Sequence, residues 1–334
     1  MRAMVLAAGL GTRLRPITYA MPKPMVPVAN RPVMEHILRL LGRHGFSETI
    51  ANLHWFPELI EAHFGDGSAA GVELSYSREE QLLGTSGGVR NAAGFLGESF
   101  LVISGDALTD IDLAAMREFH ESHDGIATLA TKRVQDTSQF GVAITDPYGR
   151  IQGFQEKPDP AAALSDLANC GIYMFRSEIF DFFPAAGAGK AAGADDPPGF
   201  ADWAMDVFPR LLEGDVPFYS HEIDAYWNDI GNLEELRSGT NDALSGTVGL
   251  ELDGELVDGY RSGTAAVDEG GLAGPVLLGP GCEIADDVRI DGPSVIGSGA
   301  QVGAGSRLRE VIALPGAEIG AATVLVGAIV AARA

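Results

Sequence analysis

A chain of 334 residues, 46% apolar and 21% charged, is long enough for a large and a small folded domain and has nothing of a disordered tail. Its formal net charge of −23 repels phosphate backbones and anionic lipid, which argues against nucleic acid or membrane as the main partner and means that any phosphate it binds needs a local basic pocket. The two cysteines, Cys170 and Cys282, lie far apart without zinc spacing and fit a reducing cytoplasm, and the apolar runs at 3–8 and 324–332 are too short for a signal core or a membrane span.

From the N-terminus, residues 2–8 read as a buried parallel strand entering a glycine-rich turn at 9–13, and residues 33–44 carry the apolar spacing of a helix. The alternation continues with a strand over 49–53, a helix over 57–64, a strand over 72–76, a helix over 87–96 and a buried strand over 99–104 that ends at Gly105-Asp106. Strands and helices in this order predict a mostly parallel α/β sheet, with ligands beyond the carboxyl ends of its strands. The loops at 8–16 and 104–110 are therefore the first candidate positions. The small, Pro/Gly-rich stretch 184–201 reads as a mobile surface loop without chemistry, and Trp203 and Phe208 beyond it as core. A helix over 232–244 ends the first domain, placed at residues 1–245.

The rest, residues 246–334, reads as a linker and a repeat. Aliphatics recur every six positions at Leu278, Ile284, Ile290, Ile296, Val302, Leu308 and Leu314, and the register then slips before Ile319 and Leu325. This is the pattern of a hexapeptide-repeat parallel β-helix, in which each turn buries one aliphatic per face.

Two local signals carry chemistry. In Gly9-Leu10-Gly11-Thr12-Arg13, two glycines allow a tight backbone whose N–H groups can face an anion; Leu14 stands where a dinucleotide fingerprint needs glycine, and no Gly-Lys-Ser/Thr follows. Pro22-Lys23-Pro24 predicts an extended segment that holds Lys23 in a fixed direction. Taken alone, the first reads more readily as a turn after a strand and the second as a solvated lysine.

Together, LAAGLGTRLRPIT and PKPMVPVANRPV resemble the signature of the sugar-1-phosphate nucleotidyltransferases. Leu83-Gly84-Thr85-Ser86-Gly87-Gly88, Ser104-Gly105-Asp106, Phe140-Gly141-Val142, Glu156-Lys157-Pro158, Asn169-Cys170-Gly171-Ile172-Tyr173 and Trp227-Asn228-Asp229-Ile230-Gly231 follow in the family's order. The resemblance implies a Rossmann-like nucleotidyltransferase domain followed by a left-handed parallel β-helix. It implies a triphosphate held by Arg13, with Lys23 near the α-phosphate, and Mg²⁺ bound by Asp106 and Asp229; Arg13, Lys23 and Asp106 are the expected catalytic residues. The nucleotide is expected against Leu6, Ala7, Ala8, Gly9, Gly11, Thr12, Arg13, Gly84, Thr85 and Asp106, with Glu79 and Glu80 near enough to read the base. The sugar phosphate is expected at Gly141, Glu156, Lys157, Asn169 and Asp229.

Among family branches the LGTSGG stretch, SGDALTDIDL and the repeat tail look most like bacterial mannose-1-phosphate guanylyltransferases, with uridylyl- or thymidylyltransferases acting on glucose-1-phosphate as the alternative. A catalytically silent regulatory relative is a further reading, set against the presence of Arg13, Lys23, Asp106 and Asp229. An acyltransferase role for the tail lacks the usual histidine, since His221 is the last in the chain. The tail is thus expected to serve oligomerisation or regulation, making the protein a cytoplasmic homo-oligomer.

Overall fold

The computed structural model describes residues 1–185, 189, 197–253, 255–257, 260–262 and 271–332. Most of the expected loop, 186–188 and 190–196, lies outside the described residues, as does much of the expected linker. The chain divides into two compact units, Met1–Gly11 with Pro22–Pro24 and Ile37–Asp229, and Thr12–Met21 with Met25–His36 and Ile230–Ala334.

The first unit is built on β1 (Arg2–Leu6), followed after α1 (Val33–Arg43) by β2 (Glu48–Leu53), α2 (Pro57–Phe64), β3 (Glu73–Arg78), α3 (Gly84–Asn91) and β4 (Ser99–Ser104). These four strands pair in parallel in the order β4-β1-β2-β3. Strands covered on both faces need unbroken apolar runs, and Ala3 to Val5 and Phe100 to Ile103 are fully buried. Beyond β4 the chain adds α4 (Leu113–Glu121), β5 (Ala127–Arg133), β6 (Gly141–Thr145), β7 (Ile151–Glu156), β8 (Leu167–Arg176), α5 (Phe208–Glu213) and β9 (Tyr219–Glu222). The ten-residue β8 runs antiparallel to β4 and joins the parallel half to β5 and β6, so the sheet of nine strands is mixed. Trp203 and Phe208 are core, as expected: Trp203 stacks 4.5 Å from the Phe175 ring and 5.7 Å from that of Phe208. Together with Phe100 and Phe218 they fill the layer below β4 and β8.

In the second unit Val33 N–H donates to Val26 O (3.1 Å), His36 Nε2 lies 3.0 Å from Val28 O, and α6 (Leu233–Ser245) packs on the short strand Pro27–Val28. Asn232 caps α6, its Oδ1 accepting the N–H groups of Glu234 and Glu235. The tail is a β-helix of stacked parallel strands in three sheets. Leu278, Ile290, Ile296, Val302 and Leu308 point inward and are at most 2% exposed. Leu278 pairs with Ile296, eighteen positions on, whereas Ile296 pairs with Ala313, seventeen on. The register therefore slips before Leu314 and not after it: Ala313 takes the ladder position. The cause is a shorter corner. Three residues (292–294) separate Asp291 from Val295, but two separate Arg309 from Ile312, and the first of these, Glu310, adopts a left-handed φ of 55°.

Candidate active site

The carboxyl ends of β1 and β4 lie side by side, and Gly105 makes this possible. Its N–H donates to Leu6 O (2.8 Å), and a Cβ there would stand 2.7 Å from the same oxygen. Two cavities of the first unit open here and share Ser104 and Asp106.

The smaller, about 230 Å³, is lined by Leu6, Ala7, Ala8, Gly9, Gly84, Thr85 and Asp106 from the expected nucleotide set, together with Lys23. Gly11, Thr12 and Arg13 are not among its lining residues; Gly11 has φ +60°, and Thr12–Leu14 forms a single 3₁₀ turn with Arg13 exposed. Asn52 also lines this cavity, a contribution that sequence reading missed. Its Oδ1 accepts Ala7 N–H (2.9 Å) and its Nδ2 donates to Glu79 Oε1 (2.8 Å), while Glu79 Oε2 accepts Leu83 N–H (3.0 Å). Glu79 is buried with both oxygens engaged, so it braces the cavity wall from behind; burial pushes its carboxyl above the usual range, partly offset by these hydrogen bonds. An amide between the aliphatic residues Ile50, Ala51 and Leu53 of β2 was the available signal for Asn52.

The larger cavity, about 360 Å³, is lined by Gly141, Glu156, Asn169 and Asp229 from the expected sugar set. Lys157 stands outside it, at a φ of 44°, with Nζ 3.5 Å from Glu156 Oε1 in an exposed pair. Phe140, Phe154, Ala204, Met205 and Trp227 are among the other residues of its wall. Asn169 is fixed at both ends: Oδ1 accepts Gly171 N–H (3.1 Å), and Nδ2 donates to Tyr173 Oη (2.9 Å). Trp227 Nε1 donates to Cys170 O (3.0 Å), and its ring lies 5.1 Å from that of Phe140. A Cβ on Gly141 would come within 3.0 Å of Glu156 Oε2, so glycine leaves that carboxylate room.

Between the cavities, Asp106 accepts Ser104 Oγ–H at Oδ1 (2.5 Å) and pairs through Oδ2 with the Lys23 ammonium, which also donates to Asp229 O (3.1 Å). Lys23 is 8% exposed, and Pro24 sets it in a 3₁₀ turn over Lys23–Met25, not in the extended segment expected. Among the described residues, Lys23 is the one cation whose side chain lines either cavity; Asp106, Glu156 and Asp229 are the acidic ones. Among the described residues no three His, Cys, Asp or Glu side chains gather as a metal site, so a cation held by Asp106 and Asp229 would complete its shell with phosphate oxygens and water. The donor set fits a hard divalent ion.

The site thus consists of two cavities at the carboxyl ends of parallel strands, one lined largely by small residues and one by carboxylates, joined at Asp106. Residues 2–246 match the family described as Nucleotidyl transferase, and the chain belongs to that family. It is 38% identical over 316 residues to a UTP–glucose-1-phosphate uridylyltransferase of Synechocystis sp., covering 89% of this chain and 78% of that one. It is 36% identical over 307 residues to a mannose-1-phosphate guanylyltransferase of Mycobacterium tuberculosis, covering 91% of this chain and 81% of that one. A Bacillus anthracis structure solved with sucrose shares the fold, with TM-score 0.64 and 23% identity over 75% of this chain and 97% of that one. The protein is an enzyme of the sugar-1-phosphate nucleotidyltransferase class. Among the described residues no helix is long and apolar enough to cross a membrane.

Proposed function

We propose that the protein converts GTP and mannose-1-phosphate to GDP-mannose and pyrophosphate. The observation that carries nucleotidyl transfer is the pair of cavities meeting at Asp106, which allows two anionic substrates to present their phosphates to one carboxylate-and-lysine centre. A phosphate oxygen of the sugar-1-phosphate attacks the α-phosphorus, a new P–O bond forms, and the bond to the β-phosphate oxygen breaks to release pyrophosphate. The small residues Ala7, Ala8, Gly9 and Gly84 let the base approach backbone groups. Lys23 leaves Asp106 to neutralise the α-phosphate, and Arg13 takes the charge of the departing pyrophosphate. Glu156 and Asn169 accept or donate to the sugar hydroxyls, with Gly141 beside them. Asp106 and Asp229 would hold Mg²⁺, which would screen the phosphate charges from the three carboxylates.

The family match over 2–246 supports a catalytic domain at 1–245. Residues 246–334 are then linker and β-helix, and the same reading gives the β-helix the task of assembling copies of the chain. Two buried free cysteines suit a reducing cytoplasm. The similarity to a uridylyltransferase supports a second reading, UTP with glucose-1-phosphate. Pyrophosphate release with Mg²⁺, measured for GTP, UTP, dTTP, ATP and CTP against mannose-1-phosphate and glucose-1-phosphate, decides between them. Turnover confined to GTP with mannose-1-phosphate is the expected result. Turnover of UTP or dTTP with glucose-1-phosphate replaces it with the alternative, and silence throughout rejects both.

A further inference from the structure

Ala201, the last residue of the stretch read as a mobile surface loop, is instead buried, and it is bonded to the start of α3 in a way that joins the two cavities. Ala201 N–H donates to Leu83 O (2.9 Å), and Ala201 O accepts the N–H groups of Ser86 and Gly87 (3.1 Å each). The approach is close enough that a Cβ on Gly84, which has φ +77°, would stand 2.4 Å from Ala201 O. The next residue, Asp202, uses its two carboxylate oxygens for different purposes. Oδ2 accepts Thr85 Oγ–H (2.7 Å), and Thr85 Oγ in turn accepts Trp203 N–H (3.1 Å). Oδ1 accepts the N–H groups of Ala204 (2.9 Å) and Met205 (3.1 Å), capping the π-helical turn Trp203–Val207, while Asp202 N–H donates to Asp206 Oδ2 (2.8 Å).

Thr85 lines the smaller cavity; Ala204 and Met205 line the larger. One carboxylate therefore spans from a wall of one to a wall of the other. Met205 is 47% exposed, and its backbone N–H bond to Asp202 sets where its side chain stands at the cavity rim. The Ala204 methyl cannot hydrogen-bond a sugar and the Met205 thioether is only a weak acceptor, so their main contribution is shape, and shape depends on the cap.

We propose that Asp202 is a positioning residue that holds the Ala204–Met205 wall of the sugar-phosphate cavity against Thr85 of the nucleotide cavity, so that sugar-1-phosphate binding depends on this link. The inference rests on the assignment of the two cavities given above. Asp202 touches neither substrate; it acts through the turn it caps and the threonine it engages.

Two variants separate the link from the cap. In Asp202→Ser the hydroxyl still serves as a helix cap but is too short to reach Thr85 as well. In Asp202→Asn the amide oxygen keeps the cap and the amide NH₂ donates to Thr85 Oγ. Steady-state pyrophosphate release is measured with GTP and mannose-1-phosphate and with UTP and glucose-1-phosphate, together with thermal melting of each full-length variant. Asp202→Ser is expected to raise KM for the sugar-1-phosphate about fivefold to tenfold, within the range of one ordinary hydrogen bond, with KM for the nucleotide within about twofold. Asp202→Asn is expected to restore both values to within about twofold of the parent. The proposal is overturned if Asp202→Ser leaves both KM values unchanged or raises them together, or if Asp202→Asn is no better than Asp202→Ser. If the parent turns over neither pair, the assignment of the cavities fails first, and the link falls with it.

Discussion

Ser104, Gly105 and Asp106 perform three different tasks within one turn: a hydroxyl orients the carboxylate, a missing Cβ lets β1 approach, and the carboxylate faces both cavities. Asp106→Asn keeps the shape but removes the charge that pairs with Lys23, and the amide cannot accept at both positions. We expect kcat to fall by about 10²–10³, the usual cost of losing one electrostatic group at a reacting centre, with little change in melting temperature. Pyrophosphate release and a thermal melt check this; a loss below tenfold would remove Asp106 from the chemistry. Asn52 makes the complementary case. Asn52→Leu strands Ala7 N–H and one oxygen of the buried Glu79 carboxylate. Leaving such groups unpaired costs about 2–4 kcal/mol, to be read as a lower urea midpoint with unchanged slope. Asp106 was legible because the turn Ser-Gly-Asp sits at a strand end. Asn52 and Glu79 were not legible as partners, because their contact exists only once β2 and β3 pair in register, Asn52 beside Ser77.

At the scale of elements, α4 and β5 enclose a histidine pair that the catalytic reading leaves unused. His120 Nδ1 lies 2.8 Å and His123 Nε2 2.9 Å from the same Thr128 Oγ, and the two rings meet edge to face at 5.6 Å. A hydroxyl has one hydrogen, so it donates to one ring and accepts from the other, an arrangement that suits neutral imidazoles. Burial first, then His123 and Arg176, push His120 down from 6.5 to about 4. With the folded value depressed, the unfolded chain takes up the proton first, so stability is whole above pH 6.5 and declines as pH falls towards 4. The difference is worth about 3 kcal/mol for His120 at the acid end of that window. Urea midpoints from pH 7 to pH 4.5 should fall more steeply for the parent than for His120→Leu, whose own stability at pH 7 is lower. Parallel slopes would show that carboxylates alone set the acid response. The same elements show how far sequence patterns reach. β1 and β4 were recognisable because buried parallel strands are continuous apolar runs. The antiparallel β8 was not, since the nearest residue it pairs with, Val142 of β6 opposite Ala168, lies 26 positions away and its ladder with β5 shifts register after Asn169. In the β-helix the period revealed the architecture, but a one-residue shortening at Glu310 is invisible to a count of aliphatics when Leu314 is as apolar as the Ala313 that takes its place.

For the whole molecule the dominant fact is 46 acidic side chains against 23 basic ones. Such an excess works against compactness by self-repulsion, and the question is whether local ion pairs offset it. Those on the surface are exposed: Arg2–Glu48 at 3.0 Å has side chains 40% and 51% accessible, and Arg133–Glu222 at 2.7 Å has 59% and 44%. Pairs of this kind contribute about 0–1 kcal/mol each and are themselves weakened by salt. Roughly half of the carboxylates have no basic side chain to match them in number, and the repulsion among them extends over the Debye length, about 10 Å at 0.1 M ionic strength. Repulsion should therefore outweigh attraction, and screening should stabilise the fold. Raising sodium chloride from about 0.05 M to about 0.5 M, where the Debye length drops below about 5 Å, is expected to raise the melting temperature by several degrees. Chloride is weakly salting-out, so the specific comparison is with a neutral osmolyte adjusted to the same osmolality, which should give a smaller rise because it screens nothing. A melting temperature that falls with salt would mean that the arrangement of ion pairs, and not the net charge, governs the stability of this chain.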